Sequence, residues 1–222
     1  MLKMINVSKT FQQGDQLIQV LHNFQLALKT GETLALLGPS GSGKSTLLSL
    51  LAGLDQPDSG DVIIDNQHLN QMDEKKLTAF RGANIGIIFQ QFHLFSHLTA
   101  LENVMLPLEI LDQKTILDQK TIVEKAAEAL KKVGLGHRLQ HFPPQMSGGE
   151  NQRVAIARAF VIKPRILLAD EPSGSLDNKT GDQVMDLLFS LVAQEKTTLI
   201  LVTHNELLAK RCERQVHLQA ST

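Results

Sequence analysis

The chain has 222 residues, of which 42% are hydrophobic and 20% are charged, and these values are typical of a globular protein with one buried core. Its 22 basic and 23 acidic residues give a net charge of −1, which excludes a strongly basic nucleic-acid-binding surface, so we expect no nucleic acid partner. Cys212 is the single cysteine, which excludes an internal disulfide and a cysteine-rich zinc site. We expect a soluble chain, because no apolar run approaches the roughly 20 residues of a membrane-spanning helix.

Short strands and turns are predicted for the first forty residues. Alternating apolar residues between Phe24 and Leu28 indicate a half-buried strand, and the continuous apolar run at residues 33–37 indicates a strand buried on both faces. A helix is expected from Lys44 to about Ala52, where Gly53 can end it, and residues 62–64 are expected to form another strand.

Three later apolar runs also have the length and composition of buried strands, at residues 85–89, 166–169 and 198–202. Segments with helical spacing separate them, which predicts an α/β fold with a mainly parallel core sheet. We expect one domain, in which residues 1–90 and 145–222 form the sheet core and residues of about 91–144 form an inserted helical lobe. Inside that lobe, residues 110–115 are repeated as residues 116–121. This repeat is interpreted as a harmless duplication in an exposed connection, and the alternative is a changed contact surface for a partner.

A complete G-x-x-x-x-G-K-[ST] motif follows the strand at residues 33–37: Gly38, Pro39, Ser40, Gly41, Ser42, Gly43, Lys44, Ser45 and then Thr46. Glycines let backbone N–H groups converge on a phosphate, and the helix start adds its positive dipole end. Lys44 can bind the β and γ phosphates, while the Ser45 hydroxyl can bind Mg²⁺. The motif predicts nucleoside triphosphate binding, and its place between a strand and a helix disfavours a plain flexible turn.

Acidic and imidazole side chains follow two of the other strands. Asp170 is predicted to bind Mg²⁺ and Glu171 to accept a proton from an attacking water, with an exposed acidic strand end as the alternative. His204 is either a structural residue or a ligand of the γ-phosphate. Ser147 and Glu150 have the spacing of a capping box, but a Ser-Gly-Gly helix start is also an anion site. Two phosphate-seeking sites in one chain suggest two chains that share two nucleotides.

Taken together, the order of these motifs resembles that of ABC transporter ATPases over essentially the whole chain. The resemblance rests on residues 38–46, Gln90, residues 147–153, Asp170-Glu171, residues 175–177 and His204. Residues 86–92, 98–104 and 187–191 are most similar to the branch of lipoprotein-releasing and macrolide-export ATPases, which includes the cell-division ATPase FtsE and the YbbA type. Departures from the family pattern are few. Met146 replaces a leucine, Glu150 replaces a frequent glutamine, Ser173-Gly174-Ser175 replaces Thr-Gly-Asn, and Asn205 stands where an acid is common.

The resemblance implies a P-loop fold with an N-terminal antiparallel β subdomain, and it implies roles for particular residues. Phe11 would stack on the adenine of ATP, residues 38–46 would hold its phosphates, and Ser45, Gln90 and Asp170 would bind Mg²⁺. Catalysis would involve Lys44, Gln90, Glu171 and His204. ATP held by the opposite subunit would be contacted by Ser147, Gly148, Gly149, Glu150 and Asp177.

Partners and location are implied in the same way. The expected partners are a second copy of the chain or a paralogous ATPase, together with integral membrane permease subunits. The expected location of the chain is the cytoplasmic face of the inner membrane, where it would be held by the permease. The expected function is ATP hydrolysis that drives lipoprotein release or export of macrolides or lipids. One alternative is a signalling ATPase of the cell-division type, which moves no cargo. A nucleotide kinase would leave residues 147–149 and His204 unexplained, and a DNA-repair ATPase would need coiled-coil or zinc insertions that this sequence lacks.

Overall fold

The structure is a computed structural model that describes residues 1–14, 16–112 and 118–219. The strands are β1 (Leu2–Gln13), β2 (Gln16–Leu28), β3 (Thr33–Leu37), β4 (Ser59–Ile64), β5 (Gln67–His68), β6 (Ile85–Ile88), β7 (Ile166–Asp170), β8 (Thr198–Val202) and β9 (Arg214–His217). The helices are α1 (Lys44–Leu51), α2 (Glu74–Asn84), α3 (Ala100–Asp112), α4 (Gln119–Lys132), α5 (Gly148–Phe160), α6 (Asn178–Glu195) and α7 (Glu206–Ala209). Residues 113–117, in which the two hexapeptide copies meet, lie outside the described residues.

An antiparallel sheet with the order β2-β1-β4-β5 forms the N-terminal part of the chain. β1 and β2 pair along most of their length, from Leu2 opposite Leu28 to Phe11 opposite Ile18 and beyond. The sequence-based expectation of short strands was therefore wrong in length. Register shifts after Met4, Val7 and Lys9 interrupt the alternation of the long hairpin, so that the sequence pattern resembles several short strands.

Parallel strands follow in two compact units, which are described separately. The first unit contains Met1–Arg81 together with the chain from Thr198 onward, and the second contains Gly82–Thr197. In the first unit, β3 pairs in parallel with β8 on one side and with β9 on the other. Residues 34–37 are buried, as a strand covered on both faces requires.

The second unit contains the parallel pair β6 and β7 and the helices α3, α4, α5 and α6. α5 packs against β6 and α6 as well as against α3 and α4. α5 therefore contacts elements of the expected sheet core as well as helices of the expected lobe. The compact unit spans Gly82–Thr197, and its bounds differ from the expected lobe of residues 91–144. The division into a sheet core and a helical lobe therefore stays a prediction. Among the described helices, none has both the length and the apolar composition needed to cross a bilayer.

Candidate functional site

The predicted phosphate loop of the first unit lies between β3 and α1. Positive φ angles occur at Gly38 (153°), Gly41 (80°) and Gly43 (87°), which side chains with a Cβ rarely adopt. Close packing adds to this requirement, because a Cβ on Gly38 would lie 2.6 Å from Ser42 Oγ and a Cβ on Gly43 would lie 2.7 Å from a methyl of Val20. The loop conformation therefore depends on these glycines.

Polar groups of this loop are arranged as an anion site. Lys44 Nζ donates hydrogen bonds to the carbonyl oxygens of Gly38 (2.8 Å) and Pro39 (2.7 Å), so the ammonium group lies against the loop. α1 starts after Gly43 without a side-chain cap or an acidic residue in its first turn. Its first N–H groups and dipole therefore favour an anion. The Ser42 hydroxyl is buried and has no hydrogen-bond partner among the described residues.

His204 lies at the same edge of the parallel strands as this loop. Leu36 of β3 is in register with Val202 of β8, and Leu36 accepts a hydrogen bond from the backbone N–H of Thr203 (3.2 Å). Gly38 and His204 therefore both follow the carboxyl ends of neighbouring parallel strands, where ligands bind in open α/β sheets. Asn205 is a helix cap, since its Oδ1 accepts from the N–H groups of Leu207 and Leu208.

Phe11 lies on β1 and is 41% exposed, so one part of its ring surface is available for stacking. The ammonium group of Lys9 lies 5.2 Å from the centre of the ring. Lys9 is itself fixed by Asp55, at 2.8 Å, and by the carbonyl oxygen of Gln56, at 2.7 Å. This cation–π contact restrains the ring orientation.

The second unit brings Gln90 close to the segment that follows Glu171. Ile88 of β6 is in register with Ala169 of β7, so Gln90 and Glu171 leave the same edge of the strand pair. The Ser175 hydroxyl donates to the carbonyl oxygen of Gln90 (3.1 Å), and a Cβ on Gly174 would lie 2.8 Å from Gln90 Nε2. Glu171 has a φ of 45°, a conformation that costs about 1–3 kcal/mol for a residue with a side chain and that often marks a functional site.

The start of α5 has the geometry of the predicted capping box. Ser147 Oγ accepts from the N–H of Glu150 (3.2 Å), and Glu150 Oε2 accepts from the N–H of Ser147 (2.8 Å). The capping interpretation of the sequence is thereby confirmed. Hydrogen bonds from the Ser147 N–H, and then from Ser147 and Arg138 side chains, hold the pKa of Glu150 below its usual value despite partial burial.

Close packing joins the start of α5 to the segment before α6. A Cβ on Gly148 would lie 3.2 Å from Leu176, and a Cβ on Gly149 would lie 2.4 Å from Thr180. Asp177 caps α6 by accepting from the N–H of Thr180 (3.0 Å). Hydrogen bonding by the Thr180 side chain, and then by this N–H, lowers the pKa of the Asp177 carboxyl group. The start of α5 thus packs against residues 176–180, and Gly174 and Ser175, just before this segment, contact Gln90.

Two arginines of this unit were missed by the sequence reasoning. The largely buried Arg158 of α5 donates to the carbonyl oxygens of His93 (2.6 Å) and Phe92 (3.0 Å), which fixes the chain just after Gln90, and burial lowers the pKa of this guanidinium. Arg138 pairs with Glu150 at 2.9 Å. No local motif indicates either contact, because the partners lie 65 or 66 residues away for Arg158 and 12 residues away for Arg138.

Comparison with known proteins decides the family. The model of the ABC transporter family matches residues 21–174. The chain belongs to the ABC transporter family. It is 47% identical over 213 residues to the uncharacterized ABC transporter ATP-binding protein YbbA of Escherichia coli K12, covering 96% of this chain and 92% of YbbA. The lipoprotein-releasing system ATP-binding protein LolD of Colwellia psychrerythraea is 45% identical over 217 residues, covering 98% of this chain and 83% of LolD.

A solved structure of another relative agrees with the fold. It is a dimeric post-hydrolysis state of the ATP-binding cassette MJ0796 bound to ADP and Pi, with a TM-score of 0.90 at 42% identity over 100% of this chain and 97% of that chain. MJ0796 comes from Methanocaldococcus jannaschii. This ABC chain is therefore an ATPase with the cassette fold, and it is the ATP-binding subunit of an ABC transporter. The family and branch inferred from the motifs are confirmed.

Proposed function

We propose that two copies of this ABC ATPase close around two ATP molecules and that hydrolysis of ATP drives a membrane permease. The observation that carries the proposal is the exposed, capped start of α5, where Ser147 and Gly148 face solvent and Gly148 is the first residue of the helix. Such a helix start favours an anion. The dimeric MJ0796 structure with ADP and Pi supports the assignment of this anion as the γ-phosphate of ATP held by the other copy.

Each unit contributes its own residues to the proposed reaction. From the first unit, Phe11 stacks on adenine, residues 38–46 cradle the phosphates, and Lys44 stabilises the charge that develops on the γ-phosphate. His204 holds the γ-phosphate and the attacking water. From the second unit, Glu171 accepts a proton from that water, and Gln90 orients it.

Mg²⁺ is proposed to bind through Ser45, Gln90 and Asp170. A hydroxyl, an amide oxygen and a carboxylate form the oxygen donor set that Mg²⁺ prefers, and Mg²⁺ usually takes few protein ligands beside phosphate and water. Within residues 1–14, 16–112 and 118–219, no group of three or more His, Cys, Asp or Glu residues could hold a metal by itself. Bound Mg²⁺ would neutralise charge on the phosphates.

Two exposed aromatic rings support a permease partner. Phe95 is 51% exposed and Phe142 is 39% exposed. Asn103 exchanges hydrogen bonds with the backbone of Phe95 at 2.8 and 3.1 Å, and Ala100 donates to the carbonyl oxygen of His141 at 2.8 Å. Both rings are therefore held by segments fixed to the start of α3. Exposed aromatic residues are enriched at protein interfaces, so we propose that these rings contact the permease.

Glu171→Gln tests the dimer and the proton acceptor together. The variant should bind ATP and remain as an ATP-bound dimer, because the amide cannot accept the proton from water. Mass in solution, measured with and without ATP, reports the dimer, and phosphate release reports turnover. Glu124→Gln, on the exposed face of α4, is the matched control and should hydrolyse ATP normally. Full turnover in the Glu171→Gln variant would exclude Glu171 as the proton acceptor.

Recovery of the partner from membranes tests the second half of the proposal. Glu171→Gln with ATP, applied to detergent-solubilised native membranes, should retain a permease with a large extracytoplasmic domain if the chain serves lipoprotein release or export. Recovery of a permease with a small domain, together with cell-wall hydrolases, would instead support the signalling alternative. Phe95→Ser should reduce recovery without affecting the ATP-bound dimer, whereas Leu207→Ser, which changes an apolar side chain that is 73% exposed, should have no effect.

A further inference from the structure

Glu150 places a negative charge at the helix start that is proposed to receive a phosphate. Its Oε2 accepts from the Ser147 N–H (2.8 Å), and its Oε1 accepts from Arg138 Nε (2.9 Å). The Glu150 side chain is only 14% exposed, so solvent screens its charge weakly. A carboxylate there occupies part of the positive helix end and repels an incoming phosphate, which a glutamine would not do.

Arg138 is fixed in place from several sides. Its Nη1 lies 3.0 Å from His141 Nε2, and because a guanidinium can only donate, this imidazole nitrogen is the acceptor. The backbone N–H of His141 donates to the carbonyl oxygen of Arg138 (3.0 Å), and the carbonyl oxygen of His141 accepts from the N–H of Ala100 (2.8 Å). The guanidinium is therefore held against Glu150 by a loop that is tied to the start of α3.

We propose that Arg138 is a positioning residue for the ATP-dependent dimer, which neutralises Glu150 and holds it against Ser147 so that the start of α5 keeps its attraction for phosphate. The inference rests on the proposed function, in which Ser147 and Gly149 contact the ATP of the other copy. Arg138 acts through Glu150 and does not itself bind the nucleotide. Because Arg138 acts by neutralising Glu150, the effect of Arg138 on the dimer should disappear when residue 150 carries no charge.

A charge-compensation experiment tests this role in the Glu171→Gln background. Arg138→Met should raise the dissociation constant of the ATP-bound dimer about fivefold, which is the size of a good partly exposed ion pair. Adding Glu150→Gln to Arg138→Met should restore dimer formation to within about twofold of the parent, because the uncompensated charge is gone. Arg138→Lys should retain most of the affinity. Lys125→Met, which removes an equal charge from the exposed face of α4, is the control and should have no effect.

Binding of a fluorescent ATP analogue to the monomer, at protein concentrations too low for dimers, separates this role from misfolding. That affinity should be the same in all variants, because the phosphate loop is not altered. A dimer that stays weak in Arg138→Met with Glu150→Gln would overturn the proposal, as would unchanged dimerisation in Arg138→Met alone. If Arg138→Met does not fold, the Arg138→Lys variant decides, since loss of the dimer with the charge retained would contradict the proposal. Absence of any ATP-bound dimer in the Glu171→Gln parent would instead refute the proposed function, and the role of Arg138 with it.

Discussion

At the scale of single residues, Gly149 shows how closely the proposed phosphate-binding turn is packed. An added Cβ would lie 2.4 Å from Thr180 Cγ2, closer than real contacts allow. Gly149→Ala should therefore destabilise the protein by about 1–2 kcal/mol, because overpacking outweighs the better helix propensity of alanine. Urea unfolding measures the change.

Thr180→Ser is the matching compensatory change, because it removes the obstructing methyl group and keeps the backbone N–H that donates a hydrogen bond to Asp177. The Gly149→Ala, Thr180→Ser double variant should recover at least half of the lost stability. If the double variant instead lost as much stability as the two single variants added together, the close contact would not be the cause of the destabilisation.

Cys212 gives a second prediction at this scale. Burial raises the pKa of its thiol to about 11 from an ordinary 9.0, and the neighbouring Arg211 opposes this shift only in part. At pH 8 the thiolate fraction should be about 100-fold smaller than that of an ordinary thiol, so maleimide labelling of the folded protein should be slow. Denaturant should restore fast labelling. Equal rates in the folded and unfolded protein would contradict the burial of this thiol.

At the scale of elements, the start of α5 gives a prediction about pH. The pKa of Glu150 is lowered from 4.5 in the folded protein, chiefly by the Ser147 N–H, so the charged form is favoured by folding. A lowered folded pKa contributes stability above the unfolded pKa, and this contribution is lost as the pH falls through the folded value. Urea unfolding of the parent and of Glu150→Gln should therefore differ most near neutral pH and converge below about pH 4.5. A difference that grows in acid would contradict the ion-paired cap.

Elements with strong local patterns were predictable from the sequence. The apolar run at Thr33–Leu37 forms β3 with the expected bounds, and Gly53, with a φ of 62°, follows the end of α1. β9 was missed, because only one of its four residues is apolar and its pairing with β3 is set by residues about 180 positions apart. Local periodicity does not carry information about such distant pairing.

The same limit applies to the candidate site. Motif spacing predicts the phosphate loop, the acidic end of β7 and the cap of α5, because each is built from neighbouring residues. The hydrogen bond from Ser175 to Gln90 joins residues 85 positions apart, and the Arg138–Glu150 pair joins a loop to a helix. These contacts form only through tertiary packing, so no pattern of neighbouring residues predicts them.

At the scale of the whole molecule, the two units divide the motifs between them. The first unit contains the phosphate loop and His204, and the second contains Gln90, Glu171 and the start of α5. A nucleotide bound by the first unit should therefore stabilise the folded chain before any dimer forms. This expectation separates the nucleotide binding that we propose for the phosphate loop from the dimerisation that we propose to depend on α5.

Thermal unfolding at low protein concentration tests this separation. A non-hydrolysable ATP analogue at about 100 times its dissociation constant should stabilise the fold by about 2.7 kcal/mol and raise the midpoint by about 5–10 °C. Lys44→Met should lose most of this rise, because the variant lacks the ammonium group that is proposed to pair with the phosphates. Lys44→Met also loses the hydrogen bonds to Gly38 and Pro39, which changes its unfolding midpoint without nucleotide. The parent and the variant are therefore compared by the rise in midpoint that nucleotide causes in each. Ser147→Ala, which alters only the start of α5, is the control and should keep the full rise. An equal loss of the rise in Ser147→Ala and Lys44→Met would show that nucleotide binding and dimerisation cannot be separated in this chain.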